Sequence, residues 1–244
     1  MSELKEKLQF REVPRVLVQV EQDCLLPPHY RARLGHRRRE RGPLAFRQVS
    51  NLSLPYNLSV ENKTTSLSPV LVLYYNRPHF LEQVCRRLIE TGVSQVFFAG
   101  DGPKNEEDKV RVEKCREVIN HFYPNLPPSS HLQRSSNLGC RTAVSGSLEW
   151  FFHKNECGIV VEDDCLPNQE FFFAMTKLLE KFKAEPEIFL LNGSNFLPKE
   201  LVLKGTYRSI YPQIWGWATW ADRWQNYRLD FQDSEEIINR ALED

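Results

Sequence analysis

Several things are missing from this chain, and each absence narrows what it can do. No stretch approaches the roughly 18 consecutive apolar residues that a membrane-spanning helix needs. The opening decapeptide, MSELKEKLQF, lacks the apolar centre of a secretory signal, which predicts either a cytosolic protein or an incomplete or processed chain. No charge of one sign dominates, since 32 lysines and arginines face 32 acids. A neutral balance makes no electrostatic case for nucleic acid or an acidic membrane as partner. The six cysteines, Cys24, Cys85, Cys115, Cys140, Cys157 and Cys165, include no C-x-x-C pair, which argues against a structural zinc site. Unbridged and mostly buried thiols are expected instead. The phosphate loop G-x-x-x-x-G-K-S/T, the fingerprint G-x-G-x-x-G, and the H-E-x-x-H and G-x-S-x-G motifs are all absent, and the histidines are scattered. Classical kinase, dehydrogenase, zincin and serine hydrolase readings fall away.

What is present divides at about residue 68. Before it, RARLGHRRRERG (31–42) is a basic run with almost no apolar partner, and the following stretch is rich in Ser, Asn and Thr. Residues 1–68 therefore read as an arm or linker, partly disordered, with one isolated strand possible over 13–20. Sequons at Asn51, Asn57, Asn62 and Asn192 matter only in a secretory lumen. After it, the chain alternates. Short apolar runs at 69–75, 95–100, 158–161 and 188–192 predict strands, with a further short strand near 131–134. Between them lie helical patterns. Pro78 suits a first turn, and Phe80, Leu81, Val84, Cys85, Leu88 and Ile89 supply an apolar face. A second helix over 105–122 turns Val112, Cys115, Ile119 and Phe122 inward. A third opens at NLGCRTAV and carries Leu148, Phe151 and Phe152. A fourth, over 169–183, is capped by Asn168 and buries Phe172, Met175, Leu179 and Phe182. This alternation predicts an α/β domain over 69–244, with a mainly parallel sheet flanked by helices.

Such sheets bind ligands at the carboxyl ends of their strands, and the polar residues gather there. Asn76 and Arg77 follow the first strand, and Asp101 follows the second. Glu162, Asp163 and Asp164 follow the strand GIVV. Three adjacent carboxylates repel one another, so a cation is the natural partner. Oxygen ligands at a strand end suit Mn2+ or Mg2+. A cation bridging phosphate oxygens would neutralise a departing diphosphate, and Arg77 or Arg141 could add a bidentate phosphate contact. By residue type alone, the acids also fit a polar turn, Asp101-Gly102-Pro103 an ordinary turn, and the tryptophans of 215–224 a core.

Taken in order, VLVLYYNRPHFLEQV, VFFAGDGP, NLGCRTAVSGSLEWFF, GIVVEDDCLPNQEFF, LNGSNF and YPQIWGWATWADRW resemble the GT-A glycosyltransferases. The resemblance is to bacterial glycosyltransferase-2-like (haemolysin-HlpA-like) proteins. VVEDDCLPNQEFFFAM is also similar to the metal-binding stretch of Golgi N-acetylglucosaminyltransferase I and its O-mannose-linked relative. It spans about Pro69 to Asp230 and implies a Rossmann-like GT-A fold. It further implies Asn76 and Arg77 beside the nucleotide and Asp101 at the uracil or ribose. Asn137, Gly139 and Arg141 would lie near the diphosphate, and Glu162 and Asp163 near ribose and donor sugar. Asp164 would be the manganese ligand, and Trp215 and Trp217 would line the acceptor side, where aromatic faces suit pyranose rings.

Two departures from that pattern stand out. The acidic, Trp-containing segment expected to supply the general base has no counterpart in DFQDSEEIINRALED, so no catalytic base is assigned and the domain is expected to be C-terminally truncated. The first 68 residues match nothing in the family. The expected activity is transfer of a sugar, for example N-acetylglucosamine, from a UDP-sugar to an acceptor hydroxyl; the donor sugar itself is not fixed by these residues. The alternative is an inactive relative that binds nucleotide sugar or glycan. A magnesium-dependent phosphatase would want a nucleophilic Asp after the first strand, where this chain has Asn76.

Overall fold

The computed structural model describes residues 16–20, 66–194, 206–209 and 213–227. Their architecture is three-layered, α/β/α, around a mixed sheet. The strands are β1 (Val16–Val20), β2 (Val70–Tyr74), β3 (Val96–Gly100), β4 (His131–Gln133), β5 (Cys157–Glu162), β6 (Ile188–Asn192), β7 (Thr206–Ser209) and β8 (Trp217–Trp220). The helices are α1 (Pro78–Thr91), α2 (Glu106–Phe122), α3 (Cys140–Phe152), α4 (Gln169–Lys181) and the single turn α5 (Ala221–Trp224).

In space the strands run β4-β3-β2-β5-β8-β6-β1-β7. The four from β4 to β5 are parallel, as an alternating α/β pattern demands. Beyond them the expected mainly parallel sheet becomes mixed. Strand β8 wedges antiparallel between β5 and β6, and β7 runs antiparallel to β1. Strand β8 comes from the tryptophan box, whose WATW lacks polar alternation because both of its faces are buried. The possible strand at 13–20 is not isolated, since β1 pairs in parallel with β6. Leu67 also lies in the core, and the Ser68 amide donates to Thr176 Oγ1 at 3.0 Å. The domain therefore draws on residues ahead of Pro69; the remainder of the expected arm and the chain beyond 227 lie outside the described residues.

Local chemistry explains the helices. Asn105 caps α2 by accepting from Asp108 N, and Asn168 caps α4 by accepting from Phe171 N. Pro78 starts α1, and Gly92 ends it in the left-handed region. Helices α1, α2 and α4 cover one sheet face, with Leu81, Leu88, Ile119, Phe172, Met175 and Phe182 packed against it. Helix α3 covers the other with Leu148, Phe151 and Phe152. Ile89, expected inward, is 49% exposed because it falls just past the edge of the α1 apolar stripe. None of the five described cysteines is disulfide-bonded; Cys85 and Cys115 are fully buried, whereas Cys140 is exposed.

The parallel half also carries a half-buried histidine. His131, at the start of β4, has Nε2 2.8 Å from Tyr74 Oη and Nδ1 3.0 Å from Gln133 Nε2. A neutral ring satisfies both by donating from Nε2 and accepting at Nδ1. Burial, with the positive charge of Arg116, pulls its pKa down to about 4. The folded value lies below the ordinary 6.5, so the unfolded chain binds the extra proton. Stability is then fully present above about pH 6.5 and declines as pH falls towards about 4. His131→Gln should flatten that decline in urea titrations run across this window. An unchanged pH slope would remove His131 from the account.

Candidate functional site

The strand order creates the crevice. From β2 the chain steps outward through β3 to β4, then crosses over α3 to place β5 on the other side of β2. That reversal lies between β2 and β5, and ligands of open α/β sheets bind outside the carboxyl ends at such a point. Asn76 and Arg77 leave one side of it, and the three acids leave the other.

Strand alternation distributes the acids. Val161 faces the α1/α2/α4 layer and Val160 the α3 layer, so Asp163 continues on the first side and Glu162 on the second. Asp163 N still pairs with Leu73 O at 2.9 Å, extending the β5–β2 ladder past the strand end. Arg77, at the N-terminal boundary of α1, reaches across the reversal with a forked contact. Its Nη2 donates to Asp163 Oδ1 and its Nη1 to Asp164 Oδ2. Asp163 accepts a further bond from Tyr75 N at 3.1 Å. Its side chain is 1% exposed, against 22% for Asp164. Burial alone would lower the Arg77 pKa, but the charges of Asp163 and Asp164 outweigh it and hold the guanidinium above its ordinary value. Burial pushes the Asp163 carboxyl up, against the pull of Arg77. Burial, then the neighbouring Asp164 and Asp163 charges, also raise Glu162, which the fork does not reach.

Asn76 does not point its amide into an open crevice. It donates to Asp108 Oδ1 at 2.7 Å, and the Tyr75 hydroxyl donates to Asp108 Oδ2 at 2.6 Å. These bonds hold Asp108 below its ordinary pKa. Lys104 lies over the Tyr75 ring, 5.8 Å from its centre. Tyr75 and Asp108 thus belong to the crevice wall although no sequence motif marks them; the signal is a contact between residues 33 positions apart.

Asp101, Asn137 and Gly139 form a knot beside the crevice. Asp101 accepts from Gly102 N (2.9 Å), Leu138 N (2.9 Å), Gly139 N (3.1 Å) and Asn137 Nδ2 (2.9 Å). Asn137 also donates to Gly102 O at 2.9 Å and accepts from Gly139 N at 3.2 Å. Gly139 has φ 78° and ψ 155°, a region essentially reserved for glycine. At Gly102 a side chain would meet the Ser136 backbone at 2.4 Å, so the two loops interlock. Asp101 and Asn137 therefore hold the loop that launches α3, with Arg141 exposed on that helix's first turn. Arg134, half-buried and donating to Ser147 Oγ at 3.1 Å, is a second cation in this area that no sequence motif marks.

On the far side, Ser194 Oγ donates to Trp215 O and Gly193 N to Gly216 O, joining the end of β6 to the entry of β8. Trp215 is 37% exposed at this rim, alongside exposed Ile214. Trp217 differs from the expectation that it lines the acceptor side. It is 8% exposed and packs with Leu71, Leu73, Val160, Leu190 and Trp224, because the β8 alternation turns it into the core under α3.

A divalent cation was expected at Asp164. Among the described residues no group of three or more His, Cys, Asp or Glu converges as a cage. The donor set still fits a hard cation held by one carboxylate plus phosphate oxygens, since Asp164 is accessible, carries a second oxygen outside the fork, and has a guanidinium standing in as its present cation. No helix of the described residues is long and apolar enough to cross a membrane. Compared with known proteins, the chain matches no family model and no curated protein.

Proposed function

We propose that this protein is a metal-dependent glycosyltransferase of the GT-A type, moving a sugar such as N-acetylglucosamine from a UDP-sugar to an acceptor hydroxyl. One observation carries the reading: Arg77, Asp163 and Asp164 converge across the point where the strand order reverses. Mn2+ or Mg2+ on Asp164 would supply charge neutralisation for the departing diphosphate. The chain's own residues position the donor. Arg77 offers a fork that matches phosphate oxygens. Asp101, Asn137 and Gly139 hold the start of α3, and with it Arg141, at the rim. Glu162, which the fork does not reach, is the acid left for the ribose and sugar side, whereas Asp163, 1% exposed, anchors Arg77 rather than meeting the donor as expected. Trp215 offers a ring face to the acceptor. Transfer is an in-line displacement at the anomeric carbon, with the acceptor proton passing to a carboxylate.

UDP–GlcNAc titration with and without Mn2+ tests this. Asp164→Ala should weaken metal-dependent binding at least about tenfold, equivalent to roughly 1.4 kcal/mol. Equal binding by both proteins would remove the metal assignment. A second reading, an inactive relative that binds nucleotide sugar, is favoured by the fork that already neutralises two of the three acids. Mn2+-dependent hydrolysis of the donor separates the two, because the inactive relative shows none.

A further inference from the structure

The fork gives Arg77 two demands that it cannot meet together. It is the counter-ion of Asp163 and Asp164, and it is also the group best placed for a diphosphate. We propose that Arg77 is a displaceable internal cation, which holds the acid pair until a metal and a diphosphate arrive together. This rests on the glycosyltransferase reading and adds a regulation of its site.

Three observations support the exchange. First, the two ends of the fork are unequal. The Asp163 end is buried, and that carboxylate has the Tyr75 amide as a second donor; the Asp164 end is 22% exposed and has no other protein donor among the described residues. The Asp164 contact is therefore the one that opens at low cost, while Asp163 keeps the Arg77 stem in place. Second, Arg77 itself is 39% exposed, so its guanidinium can pivot without unpacking the core. Third, its backbone is anchored independently, with Leu81 N donating to Arg77 O at 3.1 Å, so the side chain can move without releasing α1.

The physical consequence is coupling. A bare divalent cation must compete with a resident guanidinium for Asp164 and sit beside it. A bare diphosphate meets an arginine already satisfied by two carboxylates. With both bound, Asp164 would be free to hold the metal and the released Nη1 would reach a phosphate oxygen, so each ligand would remove the obstacle to the other. Such coupling is reciprocal.

The test measures Mn2+ binding by the paramagnetic resonance signal of unbound Mn2+, without and with saturating UDP, on the wild type and on Arg77→Lys. Lysine keeps the positive charge but lacks the fork, so it can hold Asp163 while leaving Asp164. The wild type should bind bare Mn2+ weakly and gain at least about tenfold in affinity with UDP, within the ordinary range of coupling. Arg77→Lys should bind bare Mn2+ at least about threefold more tightly and lose most of the gain from UDP. Arg77→Gln, which removes the charge, should bind bare Mn2+ tighter still where it folds. If Arg77→Lys binds bare Mn2+ no better than the wild type and keeps the full UDP gain, the exchange is wrong and the metal reading survives. Wild-type protein that binds no Mn2+ even with UDP overturns both.

Discussion

Trp217→Ala should destabilise the protein by about 3–5 kcal/mol, the usual loss on truncating a buried tryptophan. The ring sits on β8, whose Trp217 pairs with Val160 of β5 and Asn192 of β6. It closes the core beneath α3 and is only 8% exposed. Removing it leaves a cavity lined by Leu71, Leu73, Leu190 and Trp224, and central strands cannot move inward to fill it. At about 2–4 °C per kcal/mol for a domain of this size, melting should fall by roughly 6–20 °C. Trp215→Ala is the matched contrast. Its side chain is 37% exposed, and its role as acceptor for Ser194 belongs to the backbone, which the substitution keeps. That variant should lose clearly less than Trp217→Ala, because its ring is the more exposed of the two. If Trp217→Ala melted like the wild type while Trp215→Ala unfolded, the assignment of one ring to the core and the other to the rim would be reversed.

Asp101→Ala should cost about 3 kcal/mol or more. Four donors from three consecutive residues and from Gly102 end on this one 9%-exposed side chain. Hydrogen bonds to a charged group each contribute about 1.5–3 kcal/mol net, and stranded buried N–H groups add their desolvation cost. The more telling variant is Asp101→Asn. It keeps shape and volume, but its NH2 must face at least one of the N–H groups of Leu138 and Gly139, setting donor against donor. It should therefore lose most of what alanine loses, and tryptic cleavage at Arg134 and Arg141 should accelerate as the loop loosens. An Asp101→Asn protein with wild-type stability and wild-type cleavage would show that the knot is not held by charge, and would return Asp101 to the open role of meeting a ribose.

Much of the α/β layering is legible in the order of residues along the chain. Asn168 is a cap readable from its place ahead of a helical pattern, and Pro78 opens a helix for a reason contained in its own ring, whereas the Asn105 cap emerges only from the structure. The strand over 188–192 falls where its apolar run lies, because a short run between breakers has few other ways to bury itself. The segment 217–220 is harder to read. A four-residue strand buried on both faces has no periodicity of its own, and only the gap between β5 and β6 makes WATW extended. The strand over 16–20 has the same character, since its partners β6 and β7 lie far along the chain.

For the site, residue order alone dictates which groups stand at strand ends: Arg77 after β2, Asp101 after β3, and the acid trio after β5. Composition and breakers are local, and local rules decide where an apolar strand must stop. What those residues do to one another is a property of the assembled sheet. The pairing of Arg77 with Asp163 and Asp164, of Asn76 with Asp108, and of Asp101 with the 137–139 loop joins groups 32 to 87 positions apart. Such contacts arise from the order in which strands lie side by side, and that order is set by the burial of whole layers rather than by any short stretch of chain.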